Sequence, residues 1–219
     1  MADGFDANLI TTEMVYNLAQ RVIDNTDNPL RDELGRMNKK DSYLFHHSIG
    51  VSALSVNIGK EIGLSKEELF SLGVAGLVHD LGKTHIPDSI LLKPGHLDDI
   101  EYDIIKRHVL YGYMICRKKL HLSDDVSWAV LQHHERYDGS GYLRYQRYEI
   151  TQYAAIIAIA DSFHAMTTDR IYKDKKGIDL ALAELITDAE GGKYDREITK
   201  TFCNLLNKNN VLRGDVIYE

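Results

Sequence analysis

Apolar residues recur at intervals of three and four along nearly the whole of this 219-residue chain. No segment alternates convincingly at the two-residue period of a half-buried strand. That pattern restricts the chain to helices packed on helices, and the expected fold class is all-α, a helical bundle. Residues 12–24 place Met14, Leu18 and Val22 on one stripe, and residues 25–29 break it. A second helix is expected to start at Asp41 or Ser42, to carry His47, Val51, Leu54 and Ile58 on one side, and to end near Gly63. Ser65 with Glu68 is a capping-box pattern that opens a third helix reaching residues 77–79. Residues 82–95, with Pro87 and Pro94, read as a loop, and a single helix is expected over 98–120. Ser123 is placed to cap a helix running to His134. A loop over 137–151 holds Asp138-Gly139-Ser140-Gly141, and further helices are expected over 151–168, 178–189 and 196–207. Residues 1–38 read as an N-terminal helical extension that packs on the bundle or forms a dimer contact, and residues 39–219 as the main domain.

A length of 219 residues with 44% hydrophobic and 27% charged residues is enough for one good core. No apolar run approaches the roughly 20 residues that span a bilayer. The N-terminus lacks the basic start and apolar stretch of a signal peptide, so a cytoplasmic address is expected. Cys116 and Cys203 form no CxxC pair, which argues against a disulfide framework or a thiolate zinc site. A net charge of −7 argues against a broad duplex nucleic-acid footprint. It leaves room for a small anionic substrate, because bound divalent cations can dominate the local field.

Ten histidines are many for such a chain, and their positions are informative. His47, His79, Asp80, His108, His133, His134 and Asp161 fall within or at the ends of different expected helices, apart from the two adjacent pairs. Helix faces and ends converging on a bundle core can assemble a two-metal site from histidine and carboxylate. Imidazole and carboxylate donors without thiolate suit iron, manganese, nickel or zinc. Asp80, beside His79, is the expected bridge between two metals. His85, His96 and His121 lie in polar loops and are given no role.

The sequence resembles the HD-GYP subgroup of the HD-domain phosphohydrolases over about residues 41–202. The matching stretches are Asp41-x-Tyr43-x-x-x-His47-Ser48, HDLGK at residues 79–83, IPDSIL at 86–91, KPG at 93–95 and KRH at 106–108. They continue with HHERYDGSGY at 133–142, AIADSF at 158–163 and Arg170-x-Tyr172-Lys173. The resemblance implies an all-α HD-domain bundle, a di- or trinuclear metal site and phosphodiesterase activity on cyclic di-GMP. The family's metal ligands fall on the same seven residues. Its third-metal glutamate falls on Tyr43, so two divalent metals are expected, iron or manganese first, with nickel or zinc also compatible. The implied chemistry is attack on phosphorus by a hydroxide held between the metals. The resemblance assigns Lys83 to the phosphate, Arg170 and Lys173 to further phosphate contacts, and Gly141 and Tyr142 to the substrate loop. Asp138 is expected to fix that loop or orient a ligand histidine. The expected partners are a cyclic dinucleotide substrate and a second copy of the chain or a regulatory protein.

Three positions depart from the family pattern. Leu143 stands where proline is usual, His164 where aspartate is usual, and residues 143–148 add Tyr145 and Tyr148. Leu143 is expected to leave Tyr142 looser, so that Leu143→Pro would tighten substrate binding. Two other readings stand beside the phosphodiesterase: a hydrolase of another cyclic or linear nucleotide, and a non-catalytic cyclic di-GMP receptor or scaffold.

Overall fold

The computed structural model describes residues 30–168 and 176–208, which are helices joined by turns, with no strand among the described residues. Helix α1 spans Leu30–Lys40, α2 Ser42–Glu61 and α3 Lys66–Val78. A 3-10 turn over Leu81–His85 leads to the short α4, Asp88–Leu91. Then come α5 (Asp99–Lys106), α6 (His108–Met114), a π-type turn over Ile115–Lys119 and α7 (Asp124–Gln132). After a loop containing a 3-10 turn at Arg147–Glu149 come α8 (Gln152–Thr167), α9 (Ile178–Glu190) and α10 (Arg196–Lys208). The expected helix over residues 12–24 lies outside the described residues, and α1 runs across the expected boundary at residue 38.

Local chemistry fixes most helix starts. Asp41 caps α2 by accepting from the Tyr43 amide at 2.9 Å. The Ser65–Glu68 box closes on α3 in both directions, and Asp98 with Glu101 does the same on α5. Ser123 and Thr151 cap α7 and α8 through their hydroxyls. The core is built around α8, whose residues 153–161 are buried without interruption. It packs against α2, α7 and α9, while α3 lies against α2 and α7. Leu34 and Met37 of α1 are fully buried, and Lys40 donates to the Ile86 carbonyl at 2.6 Å, tying α1 to the segment after the 3-10 turn.

Two expectations are corrected. Residues 82–95 are not simply loop: the 3-10 turn is closed by Lys83 N–H to Asp80 C=O at 2.9 Å and Ile86 N–H to Lys83 C=O at 3.0 Å. Pro87 then leads into α4, its fixed φ suiting a helix entrance. The single helix expected over 98–120 is broken at Arg107, whose amide bonds back three residues to Ile104. The apolar period continues through the break, so periodicity could not reveal it. Tertiary packing does, because α5 buries no residue whereas α6 buries His108, Val109 and Gly112.

Candidate metal centre

Helix ends bring most of the cluster together. His79 is the residue that ends α3, Asp80 precedes the 3-10 turn, His108 opens α6, and His133 and His134 follow α7. His47 and Asp161 come instead from within α2 and α8. His47, His79, Asp80, His108, His133 and Asp161 are buried and His134 partly so. One set of potential ligand atoms, on Asp80, His108, His133 and His134, lies within 4.8 Å of one another, and so does a second set, on His47, His79 and Asp80. Asp80 is common to both. Asp161 adjoins the second set through Oδ1, 2.9 Å from His47 Nε2.

The carboxylate of Asp80 stands among imidazoles, with His108 Nε2 at 3.3 Å and His133 Nε2 at 3.7 Å from Oδ1 and His79 Nε2 at 3.4 Å from Oδ2. Asp80 Oδ1 and His79 Nε2 are nevertheless buried without a hydrogen-bond partner. Orphaned buried polar atoms are costly, and a cation accepting both would relieve them. This arrangement fits divalent metal.

The electrostatics agree with that fit. Burial holds His108 neutral, its pKa lowered to about 3. Burial also lowers His47 and His133, and lowers His134 far, with the neighbouring histidines adding to the effect on His134. Neutral imidazole is the form that binds metal. Burial opposes ionisation of Asp80 and Asp161, but the Lys83 ammonium and His79 hold Asp80 well below the usual carboxylate range, and His47 does the same for Asp161. His79 is the exception among the histidines: burial is outweighed by the adjacent Asp80, and its pKa is raised.

Around this cluster, Lys83 Nζ lies 2.6 Å from Asp80 Oδ2 on a side chain that remains partly exposed. Tyr142 packs its ring over His134 at 4.4 Å, with Tyr102 edge-on beyond it at 6.0 Å. Gly141 is buried against Glu135, and a β-carbon there would lie 2.5 Å from the Glu135 Cα. Asp138 accepts from the Ser140 amide at 2.9 Å, so it fixes the loop. Arg170 and Lys173 lie outside the described residues. His85, His96 and His121 are exposed.

Glu135 went unnoticed in the sequence. Buried at the foot of the loop, its two carboxylate oxygens accept the amides of Leu143 at 2.7 Å and Tyr145 at 2.8 Å. The expectation of a loop loosened by Leu143 is therefore corrected. The residue-143 amide is a donor that proline lacks, and the loop is anchored by that bond. Tyr102 was missed too, and no sequence signal links it to Tyr142.

The HD domain family matches residues 17–198 of the chain. A cyclic di-GMP phosphodiesterase of Thermotoga maritima is 38% identical over 171 residues, covering 76% of this chain and 45% of that protein. A 3'3'-cGAMP-specific phosphodiesterase of Vibrio cholerae is 37% identical over 163 residues, covering 74% of this chain and 38% of that protein. The chain thus spans less than half the length of these relatives. Among solved structures, an HDG"Y"P protein of Bdellovibrio bacteriovorus superposes with a TM-score of 0.66 at 17% identity, over 94% of this chain and 74% of that one. That likeness concerns the fold.

Proposed function

Because the chain belongs to the HD domain family, we propose that it is a metal-dependent phosphodiesterase that hydrolyses a cyclic dinucleotide, cyclic di-GMP first among them. The observation that carries this reading is the buried histidine cluster around Asp80, with two ligand-type atoms orphaned. His47, His79 and Asp161 would hold one divalent metal and His108, His133 and His134 another, with Asp80 serving both. Iron or manganese suits this thiolate-free donor set best, and nickel or zinc is also compatible. When bound, such metals supply Lewis acidity toward the phosphate and lower the pKa of water.

The chain's own residues do the rest. Burial holds His47, His108, His133 and His134 low and charged neighbours hold Asp80 and Asp161 low, so these six favour their ligating forms. His79, raised by Asp80, would give up a proton on loading. Lys83, beside Asp80 at the edge of the buried cluster, would meet a phosphate oxygen. Tyr142 and Tyr102 offer ring faces and edges beside His134 on which a nucleobase can stack. Glu135 and Gly141 hold the backbone that carries Tyr142. Arg170 and Lys173 would add cationic contacts to the second phosphate. Residues 30–38 would be the part of an N-terminal extension that packs on the bundle, as the buried Leu34 and Met37 support.

Anaerobic purification with elemental analysis, followed by turnover assays on cyclic di-GMP, 3'3'-cGAMP, cyclic di-AMP and linear dinucleotides, tests the reading. About two metals per chain and cleavage of a cyclic dinucleotide are expected. Tight binding without cleavage at full metal load would assign a receptor instead. Cleavage of linear nucleotides alone would assign a different HD hydrolase.

A further inference from the structure

His47 differs from the other well-fixed histidines of the cluster in how its ring is held. His79, His108 and His133 each place Nδ1 2.7–2.8 Å from the carbonyl three residues earlier, on Gly76, Ile105 and Val130. All three sit where a helix ends or breaks, and those carbonyls belong to last turns, where the regular helical ladder stops and an acceptor can take a side-chain donor. The ring is thereby set with Nε2 toward Asp80. His47 lies inside α2, where neighbouring carbonyls are engaged in the helix. Its Nδ1 meets a side chain instead, His164 Nδ1 from α8 at 2.9 Å, while its Nε2 faces Asp161.

His164 is itself seated. A β-carbon at Gly50 would lie 2.0 Å from His164 Nε2, so the ring fills a notch that only glycine leaves on α2. Thr168 Oγ1 lies 3.2 Å from His164 Nδ1.

We propose that His164, seated in the Gly50 notch, is the positioning residue that orients His47 for metal. This rests on the reading of His47 as a ligand. With Nε2–H of His47 donating to Asp161, Nδ1 accepts from His164 Nδ1–H. With Nε2 given to a cation, His47 must carry its proton on Nδ1 and donate it to His164, which then holds its own proton on Nε2. The proton count of the neutral pair is the same in both arrangements. An imidazole can donate or accept at the same atom, so His164 holds the His47 ring in either arrangement, as outer-shell partners of ligating histidines do.

Chelator-competition titration of the full chain with Mn²⁺ tests this, with circular dichroism to follow folding. His164→Phe keeps a ring in the notch without its nitrogens, and should weaken one Mn²⁺ binding step by about tenfold to a hundredfold. His164→Asn puts an amide near the Nδ1 position and should recover most of that loss. Gly50→Ala, which displaces the ring but keeps it, should reproduce the loss and add nothing to His164→Phe. His47→Ala should abolish the same step. Wild-type Mn²⁺ binding by both His164→Phe and Gly50→Ala, with the step still lost in His47→Ala, would overturn the role of His164 while leaving His47 a ligand. An unaltered titration in His47→Ala would overturn the ligand reading and this inference with it. If His164→Phe does not fold, Gly50→Ala and His164→Asn decide by the same titration.

Discussion

Asp80 and Lys83 are joined by a 2.6 Å contact, yet substitution should separate them. Asp80→Ala removes the carboxylate common to both sets of potential ligand atoms, and metal content and turnover should fall together, turnover by at least about a hundredfold. Lys83→Ala removes only an ammonium from the edge of the site. Metal content by elemental analysis should be unchanged, and kcat/KM for cyclic di-GMP should drop about a hundredfold. Full activity of Lys83→Ala at both saturating and limiting substrate would remove Lys83 from the chemistry. Tyr43, four residues before His47 and stacked nearly flat on its ring at 5.9 Å, supplies no carboxylate for a third metal. Anomalous scattering should accordingly find about two metals per chain, and three well-occupied peaks would contradict this account.

At the scale of elements, the site depends on close approaches between turns and helices. A β-carbon on Gly82 would lie 1.9 Å from the His108 carbonyl oxygen and 2.5 Å from the Gly112 amide, because the 3-10 turn is pressed directly onto α6. Gly82→Ala should therefore destabilise the protein by about 1–3 kcal/mol and weaken metal binding through displacement of His108. Thermal melts and metal content together check this. The loop after α7 hangs on Glu135. Leu143→Pro deletes one of that carboxylate's two amide donors, so it should raise KM for cyclic di-GMP without changing metal content. A lower KM in Leu143→Pro would mean that proline's stiffening outweighs the lost bond.

For the whole molecule, the cluster couples metal, folding and pH. In chelator-treated protein, burial keeps His108 near a pKa of about 3 against an ordinary 6.5, and keeps His47, His133 and His134 below their ordinary value. Between these values the unfolded chain binds protons that the folded chain refuses. Stability present above 6.5 is therefore lost progressively as pH falls toward 3. Asp80 and Asp161, held low, add to the loss at the acid end. His79, raised by Asp80 against its burial, has the opposite sign: its contribution is present on the acid side and is lost as pH rises through its folded pKa. Four depressed histidines against one raised one set the balance. The Tm of chelated protein should fall as pH drops below 6.5, and added Mn²⁺ should raise Tm most at neutral pH. A Tm flat between pH 6.5 and 4 would show that these imidazoles are solvated in the apo protein.

The all-α class, the caps at Ser65 and Ser123, the helix starts near Asp41, Asp98 and Thr151, and the seven histidines and aspartates could all be read from the sequence. Each of those is a local matter: helical periodicity, capping chemistry and the choice of donor atoms depend on residues a few positions apart. The break at Arg107, the 3-10 turn after Asp80, the Glu135 anchor and the seating of His164 against Gly50 could not. The apolar period runs unbroken through Arg107, and only the press of Gly82 on α6 and the difference in burial between α5 and α6 distinguish the two halves. Glu135 reads as an ordinary charge until its oxygens are seen to accept amides eight and ten residues away. His164 shares a helix face with Asp161, which spacing does reveal. That its nitrogen meets His47, 117 positions earlier in the chain, was decided by the packing of α8 on α2, because a contact at that distance depends on how two helices cross and not on the order of residues along either one.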